Sequence, residues 1–173
     1  MIDADRLINR LEKFGPVLPA VVAGFSDEDL RWKPDDGGWS VLEIVRHLLD
    51  EETGDFRRRM RLTIIMPDQP WPEIDPQSWA IERKYNEGSA EDAATRFAAE
   101  RKASVAFLQG LDDGVWSTAY KHPKYGPIRA GDLLAAWAAH DALHLRQIAK
   151  RMYQIAQRDG GQYKTIYAGE WHA

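Results

Sequence analysis

Apolar residues recur at spacings of three and four along most of the chain, the period of a helix face laid on a core. From Asp3 to about Ala23 the pattern runs through Leu7, Ile8, Leu11, Phe14, Leu18, Val21 and Val22, interrupted by Pro16 and Pro19. A proline inside a helix removes a hydrogen bond and clashes with the preceding turn, so this segment is expected to kink near Gly15 and Pro16 or to fall into two pieces. Ser26, Asp27, Glu28 and Asp29 read as the cap and first turn of a short helix that reaches Trp32, followed by a turn over Asp35 to Gly38. Ser40 with Glu43 is a capping box, and Val41, Leu42, Ile44, Val45, Leu48 and Leu49 follow it, so a second long helix is expected from Val41 to about Leu62.

Pro67, Pro70, Pro72 and Pro76 then break the pattern, and the stretch from Met66 to about Gly88 reads as one long irregular connection. Ser89 with Asp92 opens a third helix whose Ala94, Phe97, Ala98, Val105 and Leu108 face inward until Gly110 and Gly114. After a loop from Asp112 to Arg129, the last helix runs from about Ala130 to Gln157 with Leu133, Trp137, Ile148, Met152 and Ile155 on its apolar side, and Gly160 and Gly161 end it. Strand-like alternation of any length is missing, and so are internal repeats. The pattern predicts an all-α fold, a four-helix bundle with one long connection.

At 173 residues the chain is expected to form a single domain over 1–173. Lys and Arg number 23 against 27 Asp and Glu, a net charge of -4, which argues against nucleic acid as a partner. No apolar run long enough for a membrane span and no apolar signal core at the N-terminus are present, so a cytoplasmic protein with no membrane partner is expected. The seven tryptophans are scattered along the chain, as core and interface residues would be. Cysteine is absent, which excludes disulfides, thiolate metal ligands and a cysteine nucleophile together. A metal, if bound, must rest on His, Asp or Glu.

His140 and His144 stand four apart on the last helix and differ by only about 40° around its axis. Leu133, Trp137 and Ile148 flank their mean direction, so the pair projects inward. Two imidazoles one turn apart can chelate one divalent ion, but the spacing alone also suits hydrogen-bonded core histidines. His47, on the second helix, sits about 90 to 100° from the stripe of Val41, Ile44 and Leu48, at the border between core and solvent. A third ligand and an exposed histidine near carboxylates are equally open readings there. Asp50 and Glu51 lie on its side of the helix and are candidate outer partners or proton acceptors. Arg151, one turn beyond Gln147, is a candidate for a substrate carboxylate, against the alternative of a snorkelling surface arginine. His122 and His172 read as surface residues. The run Arg57, Arg58, Arg59, Arg61 follows Asp50, Glu51, Glu52 and Asp55 and reads as a solvated face.

Three segments taken together resemble the DinB/YfiT family of metal-binding four-helix bundles. They are GFSDEDLRWKP with GGWSVLEIVRHLLDEE (Gly24 to Pro34, Gly37 to Glu52), KHPKYGPIRAGDLLAAWAAH (Lys121 to His140), and AAHDALHLRQI (Ala138 to Ile148). The resemblance implies an up-down-down-up bundle with a long crossover between helices two and three, metal ligands at His47, His140 and His144, and Gln147 as the glutamine that follows them. Three protein ligands leave a coordination position open. Zinc, nickel or iron would serve, with a small-molecule substrate and a homodimer as the implied assembly. Characterised members include transferases that use a low-molecular-weight thiol, so the expected activity is a metal-dependent enzyme, a thiol-dependent S-transferase or a hydrolase. The competing reading is a non-catalytic, metal-stabilised dimeric stress or partner-binding bundle. One departure from the family pattern is the run Ile128-Arg129-Ala130-Gly131-Asp132, which lacks a cap residue and strong helix formers and leads us to expect a displaced or irregular helix start.

Overall fold

The computed structural model describes residues 2–172. Its first bundle helix is split where the prolines demand: α1 covers Ala4–Phe14 and α2 covers Val17–Ala23, with Gly15 and Pro16 between them. The short α3, Asp27–Arg31, is capped by the Ser26 hydroxyl, which accepts from the Asp29 N–H. The second bundle helix begins as α4, Val41–Glu51, behind a complete Ser40/Glu43 capping box. It continues through a single π turn, Glu52–Phe56, into α5, Arg57–Ile65. Nothing in the apolar period announces that turn, because one extra residue per turn moves the stripe by less than the stripe's own width.

The connection from Met66 to Gly88 is not wholly irregular. Pro76 opens a helix, α6 over Pro76–Glu82, because at the first helical position its missing N–H costs nothing, and the Asp75 side chain caps it. The third bundle helix, α7, spans Ala90–Gln109, and the fourth, α8, spans Ala130–Gly160. Between them lies a small antiparallel hairpin, β1 (Ala119–His122) and β2 (Gly126–Arg129), paired from Ala119 with Arg129 to His122 with Gly126. The expectation of an all-α chain is corrected by this hairpin. Four-residue strands, one of them with Pro127, are too short to show alternation, and the turn depends on Gly126 at φ +74°.

The start of α8 is regular, against the expectation of a displaced one. The Asp132 carboxylate accepts from the Arg129 N–H at 2.9 Å and supplies the missing cap, and Gly131 is there because a Cβ would sit 3.1 Å from the Trp116 carbonyl oxygen. Trp116, expected in a loop, packs inward.

In the bundle α4 packs on α7 and α8, α1 on α8 and α7, and α2 on α7. The apolar interior forms two clusters. One gathers Leu18 and Val22, Val41 to Leu49, Ala90 to Phe97, and Ile148. The other gathers Ile8 and Leu11, Phe56 and Met60, Val105 and Leu108, and Leu133 to Trp137. Every bundle helix crosses from one cluster to the other, and in the second, third and fourth the residues at the crossing are polar: His47, Glu51, Glu52 and Asp55, then Arg101 and Ser104, then Asp141 and His144. A belt of buried polar side chains thus divides two apolar cores. No helix among the described residues is long and apolar enough to cross a membrane.

Candidate metal centre

The belt holds two constellations. The first rests on Arg101, only 1% exposed, which enters from the apolar stripe of α7 one turn after Phe97 and one before Val105. Its Nη1 and Nη2 donate to both oxygens of Asp141 at 2.6 and 2.8 Å, and its Nε donates to Glu52 at 3.0 Å. The Trp137 indole N–H also donates to Glu52, at 3.1 Å, and Arg101 Nη1 reaches the Leu11 carbonyl at 3.2 Å. Three bundle helices and the π turn are joined in this way by charge-assisted hydrogen bonds. The sequence reading missed these residues. An arginine in the inward stripe of a helix was the available signal, since such a side chain is rarely buried unpaired.

The second constellation is the histidines. His140 and His144 come from one face of α8, and His47 meets them from α4, buried at 4% exposure and not at the border that its own helix suggests. The His144 Nε2 lies 3.1 Å from the Nε2 of His47 and 3.0 Å from that of His140, and the three donor atoms all lie within 4.8 Å of one another. Trp39 walls His47 at a ring distance of 4.9 Å, and Phe56, itself stacked on Trp137, walls His140 at 5.0 Å.

Burial, followed by the neighbouring histidines, pushes His47 down to about 3; burial, then His144 and Arg101, does the same to His140. Burial lowers His144 as well, although Gln147 opposes it. All three rings are therefore neutral at pH 7, the state in which imidazole binds metal. The Gln147 Oε1 accepts from His144 Nδ1 at 2.8 Å, which puts that ring's hydrogen on Nδ1 and leaves its Nε2 as a bare lone pair. Three neutral nitrogens aimed at one point, with few hydrogens to share among them, fit a divalent cation of intermediate softness.

The remaining candidates are sorted by the fold. Glu51 lies on the histidine side, its Oε1 4.0 Å from His47 Nδ1, and burial, then Asp55, pushes its carboxyl up to about 8. Asp50 is not brought to the histidines: its Oδ2 accepts from Arg83 at 2.6 Å and from the Tyr85 hydroxyl. Arg151 is 6% exposed and is no snorkelling residue. Its Nε donates to the Trp39 carbonyl at 2.6 Å, its Nη1 meets Gln154, and its Nη2 fills the place where a Cβ on Gly38 would stand. It clamps the loop that carries Trp39 onto His47. The arginine run is only partly solvated, since Arg57 pairs with Glu100 and Arg59 with Asp55, while Arg58 and Arg61 are exposed. His122 stands in the hairpin, where its Nδ1 accepts from the Lys124 and Tyr125 N–H groups, and His172 is exposed.

Beside His144 opens a cavity of about 350 Å³ lined by Leu143, Arg146, Gln147, Lys150 and Trp171. A larger hollow of about 710 Å³ lies between α2, α3 and the start of α7. Its lining contains none of the three histidines.

The four-helix bundle that carries these three imidazoles is a fold shared with a solved protein structure. The DinB superfamily pattern matches residues 10–148, and the chain belongs to that superfamily. A protein of Oceanobacillus iheyensis named "Putative metal-dependent hydrolase" is 27% identical over 141 residues, 82% of this chain and 81% of its own length. The Bacillus subtilis protein "Putative metal-dependent hydrolase YfiT" is 22% identical over 152 residues, 86% and 85% of the two chains. The solved structure of that YfiT, described as "a probable metal-dependent hydrolase with an unusual four-helix bundle topology", superposes with a TM-score of 0.81 at 20% identity over 90% of each chain. This likeness shows the four-helix bundle fold.

Proposed function

We propose that the chain is a metal-dependent hydrolase whose divalent ion is held by His47, His140 and His144. The observation that carries this reading is the convergence of three neutral imidazole Nε2 atoms from two helices. Held by His47, His140 and His144, a divalent ion would supply Lewis acidity and would lower the pKa of a nucleophile, whether water or a small-molecule thiol. The names of the relatives favour water. Zinc, nickel and iron all suit the donor set.

The chain's own residues do the positioning. Gln147 keeps the His144 hydrogen on Nδ1. Arg151 holds the Trp39 carbonyl and so keeps the indole against His47, excluding water from that side. In this reading the cavity beside His144, lined by Arg146 and Lys150 with Leu143 and Trp171, would take an anionic group and an apolar body together. Substrates that are small, acidic and partly apolar fit it. The bundle order up-down-down-up belongs to this reading. The first helix runs from the cluster of Leu11 toward that of Leu18, the second and third run back, and the fourth returns from Leu133 to Ile148. A homodimer completes the proposed assembly.

The test is metal content by plasma mass spectrometry on untagged protein, wild type beside His140→Ala/His144→Ala, followed by cobalt substitution. Near-stoichiometric metal that is lost in the double variant is expected. The cobalt spectrum should shift with azide, and ester hydrolysis should track metal content. A wild type that refuses zinc, nickel and iron overturns the site. A loaded protein whose spectrum ignores azide and thiol alike, and which hydrolyses nothing, is a structural metal bundle instead. A spectrum that moves with thiol, together with thiol transfer in place of hydrolysis, reassigns the activity to an S-transferase.

A further inference from the structure

Four side chains at steps of four residues, His47, Glu51, Asp55 and Arg59, follow one another along the second bundle helix. In a plain α-helix each such step overshoots one turn by about 40°, so a column of four would wind around the axis. The π turn Glu52–Phe56 rotates less per residue, takes part of that overshoot back and keeps the column on one side. Three of the four are buried, His47, Glu51 and Asp55, in a belt between two apolar cores.

At the histidine end stand two orphans. His47 Nδ1 and Glu51 Oε1 are both fully buried without a hydrogen-bond partner among the described residues, and they lie 4.0 Å from each other. A buried donor or acceptor left unmade is costly. At the other end the column is anchored. Asp55 follows Glu51 by one turn, and its Oδ1 forms an ion pair with Arg59 Nε at 2.8 Å. Arg59 in turn donates to the Pro72 carbonyl at 3.1 Å and stacks on Trp71 at 5.0 Å. The proline-rich connection thereby grips the far end of the column. A parallel stands on α8, where the Gln147 amide oxygen accepts the Nδ1 hydrogen of His144.

We propose that Glu51 is the positioning residue of His47. Its Oε1 accepts the Nδ1 hydrogen, so the bare Nε2 faces His140 and His144, and the Asp55–Arg59 pair fixes Glu51 in place from the connection side. Glu51 then does for His47 what Gln147 does for His144. The inference rests on the reading that the three histidines hold a divalent ion.

Wild type, Glu51→Gln and Glu51→Leu are titrated with zinc against a chromophoric chelator, and zinc-loaded samples labelled with ¹⁵N-histidine report which ring nitrogen carries hydrogen. Glu51→Leu, which has no acceptor, is expected to weaken zinc binding about 10- to 100-fold, the usual effect of removing such an outer partner. Glu51→Gln keeps a carbonyl acceptor and should restore most of it. In Glu51→Leu the His47 Nδ1 signal should move while those of His140 and His144 stay. Arg59→Met, at the half-exposed end, should move the same signal with a smaller loss of affinity, and it serves if Glu51→Leu does not fold. Unchanged zinc affinity with an unmoved His47 signal in these variants sinks this inference alone. A wild type that takes up neither zinc nor nickel nor iron sinks the functional reading with it.

Discussion

The arginine network and the histidine cluster share one belt of the bundle and are built on opposite terms. Around Arg101 a single guanidinium serves two carboxylates, and hydrogen bonds run from guanidinium and indole to both of them and to a carbonyl. Around the histidines the three Nε2 atoms face one another, two of them crowding the single lone pair of His144 Nε2, and His47 Nδ1 has no partner among the described residues. A satisfied buried network ties elements together, whereas an unsatisfied one costs stability and is kept for what it binds. The adjacent positions 140 and 141 divide the two roles. The helix turns about 100° between them, which sends His140 to the histidine cluster and Asp141 to Arg101.

The sharpest way to break this comparison is Arg101→Met. It strands Glu52 and Asp141 as buried charges and should cost about 3–5 kcal/mol, read as a fall in the urea midpoint of the metal-free protein. A loss no larger than that of an ordinary surface substitution would show that the network is not what joins the helices.

The opposite sign is expected at the histidines. In chelator, where His47 Nδ1 stands 4.0 Å from Glu51 Oε1 and makes no hydrogen bond, His47→Leu should raise stability by about 1–3 kcal/mol, the cost of a buried polar group left unmade. The same variant should lose the stabilisation that zinc confers on wild type. If His47→Leu instead destabilised the metal-free protein, the cluster would be a structural network after all.

The smallest effect sharpens the contrast from outside the belt, at the exposed Asp29–Arg158 pair, 2.6 Å apart. The Arg158 guanidinium, then the Ser26 hydroxyl, hold the Asp29 carboxyl below its ordinary value of 3.8. A carboxyl depressed in the folded state contributes stability above that ordinary value and loses it as pH falls through the lower, folded one. Asp29→Asn should therefore lower the melting temperature slightly at pH 7 in low salt, and not at all below the folded pKa. A loss that persists in high salt would point to a role beyond charge.

Reading the chain in one dimension succeeded where the physics is local. His140 and His144 were legible as a pair because four residues is one turn, and the Ser40 cap and the break at Pro16 are written in adjacent residues. The reading failed where another element decides. The wheel of α4 put His47 at a border because it ignores α8, whose histidines cover that border. Asp50 and Glu51 were equivalent candidates until α6 and the residues after it drew Asp50 away to Arg83 and Tyr85. Arg151 looked free for a substrate because nothing near it in sequence shows that the Trp39 carbonyl lies across its path.

The starts of the second and third bundle helices, the break at Pro16, the lack of any thiol ligand and the pairing of two histidines were settled by the sequence alone, since period, capping and residue chemistry act within a few positions. The π turn, the meeting of the third histidine with the other two, the division of the belt into a hydrogen-bonded network and a cluster with an unpartnered Nδ1, and the placing of Glu51 rather than Asp50 beside His47 were decided only by tertiary packing. These depend on distances between helices, and burial makes each unpaired nitrogen or carboxylate expensive enough for the position of a neighbour to determine its role.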